Sequence, residues 1–184
     1  EKEKEKGVII EELNMYLDTP VRHVRDLFEG LLYGDQPAGW EIVGTKESLK
    51  KLQRKDFVDY IKNHYSSQNT IVCVSGNFRQ EKMAEDIKRK FRTMNKQKPQ
   101  RKSKVIEEQK DPQIHLKFKE TDQTHFCLGV RAFDLFSPKI YIQEVLATIL
   151  GGNMSSRLFI KVREKSGLAY YIKTEIEANP DTGF

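Results

Sequence analysis

Between Gly151 and Tyr170 the chain reads GGNMSSRLFIKVREKSGLAY, and these twenty residues restrict the fold more than any other stretch. Gly151 and Gly152 follow the apolar-periodic segment Ile140–Leu150 and should close it as a helix, glycine accepting a left-handed backbone there. Ser155 is placed to cap a second helix, with Leu158, Phe159 and Val162 at helical spacing. Gly167 should stop that helix, and LAYYIKTEIE then alternates as a strand does. Arg163 and Tyr170, seven positions apart, therefore bracket a helix-to-strand turn. Burial preference alone would make them a helix-end arginine and a strand tyrosine packed on the core.

The first residues constrain the other end. EKEKEKGVIIEELNMY is helix-like, with Val8, Ile9, Leu13, Tyr16 and Leu17 to one side. Glu5 and Glu12 are also seven apart, close to two turns, and share a face. Composition by itself makes alternating Glu and Lys a solvated, salt-bridged helix surface.

Taken together, the two ends resemble the pitrilysin/insulinase family of zinc metallopeptidases, in its processing-peptidase-like branch. In that family an arginine and a tyrosine seven residues later face the active site across a chamber. They hold the substrate backbone and help stabilise the tetrahedral oxyanion; Arg163 and Tyr170 match them. Guanidinium and phenol suit the task, since fixed donors aimed at developing negative charge lower a barrier. The resemblance makes Glu12 the third zinc ligand and Glu5 its supporting carboxylate. Glu11 adjoins Glu12, so the register between these two stays open. Asn153 interrupts the run of glycines that family members often carry before Met-Ser-Ser-Arg, a substitution the turn tolerates.

The family's H-x-x-E-H motif is missing. Histidines stand at 23, 64, 115 and 125, and none has the paired histidine that either H-x-x-E-H or H-E-x-x-H requires. A catalytic zinc takes three protein ligands and a water, and one ligand at most is present. The motif would precede Glu1, so we expect an internal fragment of a longer peptidase-like protein, inactive alone. His115 and His125 are expected as structural strand residues.

The formal net charge of +5 is concentrated in Lys96–Lys110, which has little apolar periodicity. A basic strip can serve nucleic acid, but no aromatics interleave here for base stacking. A solvated interdomain linker over 96–111 is the better reading, and no nucleic-acid partner is expected. No apolar run approaches a membrane span. GGNMSSR lacks the GK[ST] of a phosphate loop, which sets aside an anion-binding helix start. Cys73 and Cys127 sit in apolar strand-like runs and should be buried thiols, mildly favouring a reducing compartment; the resemblance adds a cytoplasmic, bacterial-type location.

A coarse reading places helices over about Glu1–Leu17 and Val21–Tyr33, the second with Val21, Val24, Phe28 and Leu32 near helical spacing. GDQPAGWEIVGT is turn-rich, with Thr45 an N-cap and Glu47 in the first turn of the next helix. Helices continue to about Tyr65, and Thr70–Ser75 is a short buried strand. The next helix carries Met83, Ile87 and Phe91 on one core-facing stripe. Gln113–Lys119 and Thr124–Phe133 alternate as strands, and Ser137-Pro138 opens a helix with proline first.

The expected class is α+β, with two-layer sheet-and-helix domains of the processing-peptidase type. Residues 1–95 would be the C-terminal part of a first, zinc-site domain, and 112–184 the N-terminal part of a second, substrate-binding one. The function implied is a piece of a Zn2+-dependent endopeptidase acting on peptide substrates. The alternative is a non-catalytic peptidase-like subunit that binds substrate or scaffolds a dimer. Either way a homo- or hetero-oligomer of peptidase-like subunits is expected, without a membrane partner.

Overall fold

The structure, a computed structural model, describes residues 2–184. Six α-helices carry most of the order: α1 Lys2–Leu17, α2 Pro20–Tyr33, α3 Lys46–Lys51, α4 Arg54–His64, α5 Gln80–Phe91 and α6 Ile140–Gly151. A π-helix spans Phe159–Lys165, and β1 (Ala178–Asn179) pairs with β2 (Thr182–Gly183) antiparallel. Glu1, where the first helix was expected to begin, lies outside the described residues.

Helix boundaries follow local chemistry. Thr45 caps α3 as expected: its hydroxyl accepts from the Ser48 amide at 3.1 Å, and its own amide donates to the Ser48 hydroxyl at 2.9 Å. That reciprocal box satisfies two donors the helix cannot use internally. Pro20 starts α2, and Gly34 ends it at φ 68°, its amide returning to the Gly30 carbonyl.

The chain divides into two compact units. One holds α1 through Lys6 together with Gly44–Ser103. Within it the Ser67 amide bonds the Asn95 carbonyl at 2.8 Å, and Leu49 and Ser66 are buried. The other holds Gly7–Val43 and Lys104–Phe184. In it Phe184 meets Phe28 edge-on at 5.3 Å and Tyr33 at 6.3 Å, and Leu13, Leu32 and Tyr33 are buried. The Thr182 hydroxyl donates to Glu107 at 2.7 Å and so accepts from Tyr33 at 3.2 Å, and Arg131 pairs with Glu107. Arg25 of α2 holds Glu29 and Glu177 at 3.0 and 2.6 Å.

The strand expectations need correction. Thr70–Ser75, 113–119 and 124–133 are extended but unladdered, and β1–β2 is the only strand pair among the described residues. Ile71 is 95% exposed, so the expected buried strand is not buried. Ile114, Leu116 and Phe118, and likewise Phe126, Leu128 and Val130, all stand in solvent. Alternation chooses which side chains share a face, but a ladder needs a facing backbone for each N–H and C=O. In 124–133 the Ala132 amide alone finds one, the Gly183 carbonyl at 2.8 Å; among the described residues the rest of these segments meet none. For the same reason Cys73 and Cys127 are exposed rather than buried. In the α5 stripe Met83 and Ile87 are half-buried and Phe91 exposed.

Smaller corrections concern α6 and its exit. The helix starts at Ile140, after a turn containing Pro138, and includes Gly151. Gly152 is right-handed (φ −79°), not left-handed. Gly151 is required instead for close approach: a Cβ there would lie 2.6 Å from the Thr174 amide, which itself bonds the Gly151 carbonyl at 3.1 Å. The next helix starts one residue later than a Ser155 cap would give, with the Ile160 amide bonded to the Ser156 carbonyl at 3.0 Å.

Apolar rows left open in this way favour self-association. The isolated 184-residue chain is expected to sediment as concentration-dependent dimers or larger species; a compact monomer at high concentration would contradict that expectation.

Candidate functional site

Arg163 and Tyr170 are brought together. Arg163 is one turn beyond Phe159 in the π-helix, and its guanidinium carbon lies 4.7 Å from that ring's centroid. The same carbon is 5.1 Å from the centroid of Tyr170. Gly167, at φ 60°, turns the chain back to make this possible, a conformation costly for any residue with a Cβ. Here the expected glycine stop holds.

The closure has an unusual register. In a Schellman cap the left-handed residue bonds the carbonyl three residues back (the 5→2 pairing), and the next residue the carbonyl five back (6→1). Here both bonds reach one residue further back: the Gly167 amide takes Arg163 (3.2 Å), and the Leu168 amide takes Val162 (3.0 Å). The Ser166 amide bonds Lys161 at 3.1 Å, five residues back, as π geometry requires. The widened turn puts the Arg163 carbonyl inside the cap. Tyr170 is 88% exposed, so its phenol is free to reach a ligand.

Glu5 and Glu12 both lie on α1, and both are exposed. Zinc requires at least three converging protein ligands. Among the described residues no group of three or more His, Cys, Asp or Glu could hold a metal ion. The chain's own residues therefore do not fit a zinc ion by themselves. His115 is exposed and His125 half-buried, both in the extended segments.

Sequence reasoning passed over His23. It is 7% exposed on α2, and the Lys117 ammonium lies 2.8 Å from its Nε2. Ammonium only donates, so Nε2 accepts and Nδ1 carries the proton; Nδ1 is buried and has no hydrogen-bond partner among the described residues. The available signal was its helical spacing with Leu27 and Gly30, all on one side of α2. Burial first, and then the Lys117 charge, push the imidazole below its usual value; Asp26 and Glu41 oppose this and Lys119 adds to it. The folded state thus resists a proton that the unfolded chain accepts below about pH 6.5. Stability should be intact above that value and fall as pH drops through it. Denaturant midpoints measured from pH 8 to pH 5 check this, and His23→Gln should flatten the acid limb.

A family model described as peptidase M16 inactive domain matches residues 51–184. The chain belongs to the peptidase M16 family. This is the pitrilysin/insulinase resemblance read from the sequence. M16 relatives include a Bacillus subtilis protein named an uncharacterized zinc protease, 34% identical across all of this chain and 44% of its own length. Another of that name, from Mycobacterium leprae, is 32% identical across 98% of the chain and 41% of itself. The chain thus spans less than half the length of these curated relatives.

Two solved structures carry the same fold. A Helicobacter pylori protease aligns with TM-score 0.71 at 20% identity, over 98% of this chain and 45% of that one. A peptidase M16 inactive domain from Pseudomonas fluorescens aligns with TM-score 0.74 at 16% identity, over 99% and 44%. The α+β class follows from these alignments, although few of its strands are paired within this chain. No helix among the described residues is long and apolar enough to cross a membrane.

Proposed function

We propose that this chain is the substrate-gripping part of a zinc-dependent endopeptidase. In this reading Arg163 and Tyr170 present donors to the substrate backbone. The single observation carrying it is the Arg163 guanidinium poised 5.1 Å over the ring of a largely exposed Tyr170. Such a pair binds an extended peptide carbonyl and meets the negative charge that grows on its oxygen during hydrolysis. Glu12 is one metal ligand, with Glu5 supporting it, and the remaining ligands come from outside these residues. Residues 96–111 act as the linker between two homologous domains, in a cytoplasmic protein that assembles from peptidase-like subunits. The zinc-protease names of the relatives support the reaction class.

The inactive-domain match favours a second reading, a peptidase-like subunit that binds peptide without cutting it. Arg163→Ala in the full-length protein separates the two. For an enzyme it should raise KM by roughly tenfold as well as lowering kcat, because ground-state binding is lost along with charge stabilisation. Zinc content should stay unchanged. Peptide binding that Arg163→Ala weakens, with no turnover by the parent under any condition, would select the second reading.

A further inference from the structure

Arg163 is oriented without a carboxylate. It lies against two rings, Phe159 at 4.7 Å and Tyr170 at 5.1 Å, and among the described residues no hydrogen bond or ion pair engages its guanidinium. An arginine steered by an acid spends donors on it, whereas one steered by aromatic faces keeps all five N–H groups. The two rings also differ. Tyr170 stands in solvent, while Phe159 is half-buried in the π-helix and so is the better-anchored surface. Phe159 and Arg163 are four residues apart, which sets them on one side of the helix.

From this we infer that Phe159 is a positioning residue for substrate binding: its ring face holds the Arg163 guanidinium in place with every donor available to the peptide. This rests on the role given to Arg163 under Proposed function. Contacts of this kind correspond to roughly 3- to 30-fold in an equilibrium constant.

The test is steady-state kinetics on an extended peptide with the full-length protein. Phe159→Leu keeps apolar bulk but removes the π-face, and should raise KM roughly 3- to 30-fold with little change in kcat. Phe159→Tyr should restore the parent value. In an Arg163→Ala background, Phe159→Leu should add nothing further to KM, since it acts only through the arginine. A normal KM for Phe159→Leu beside a raised one for Arg163→Ala overturns the inference and leaves the role of Arg163 standing. An equal rise in both backgrounds also overturns it, because the ring then only packs. If Arg163→Ala itself leaves KM unchanged, the role of Arg163 and this inference fall together. Should Phe159→Leu fail to fold, Phe159→Met substitutes with the same outcomes, its flexible chain filling the space.

Discussion

Tyr170→Phe in the full-length protein is expected to lower turnover by roughly 10²–10³ while leaving zinc content unchanged. The substitution removes one hydroxyl and nothing else of the ring. Its cation–π contact with Arg163, at 5.1 Å to the centroid, therefore survives. What is lost is a donor that contributes most when negative charge has developed, so the loss should appear in kcat and kcat/KM alike. Because Tyr170 is 88% exposed, little packing depends on its hydroxyl and the fold should be untouched. Normal turnover would reduce Tyr170 to a ring that stacks on Arg163, and its proposed role in hydrolysis would fall.

Glu12→Gln is expected to act differently, by emptying the metal site of the full-length protein. A neutral amide is a poor replacement for a carboxylate ligand to a dication, so the purified variant should carry zinc well below stoichiometric. Activity should fall in proportion. Glu5→Gln should be milder, on the order of 10–100-fold in metal affinity, as expected for a group that supports a ligand. Glu11→Gln resolves the register: zinc loss there, with Glu12→Gln normal, would move the ligand by one residue. Metal analysis beside rate thus separates the two ends of the chain, since substitutions at Arg163 and Tyr170 should spare zinc. The isolated 184-residue chain should not hold zinc tightly, as no cluster of ligands converges among its described residues.

The parts of this protein that were legible in advance depend on near neighbours in the chain. The α1, α2, α4 and α5 segments, the Thr45 cap and the Gly167 stop all arise from interactions within a few residues, and periodicity and capping chemistry encode those directly. The meeting of Arg163 with Tyr170 belongs here too: one helical turn and one left-handed glycine join them. The π register was not legible, because LFIKVREK satisfies an α-helical pattern equally well and only the hydrogen bonds reveal the extra residue per turn. Ser156 displaced Ser155 at the helix start by a similarly small shift in backbone bonding.

Sequence by itself determined most of the helices, the Thr45 and Gly167 ends, the class of the fold and the arginine–tyrosine pair. It also determined that Ile114, Leu116 and Phe118 would share one face, since strand alternation is a local property. Whether that face was covered was decided only in three dimensions, and in this chain it is open. Burial of His23 against Lys117, 94 residues away, was likewise a tertiary outcome. Periodicity reports which side chains lie together; it carries no record of which distant segment arrives to pair with a backbone or bury a side chain, because that choice is made by the free energy of long-range contacts.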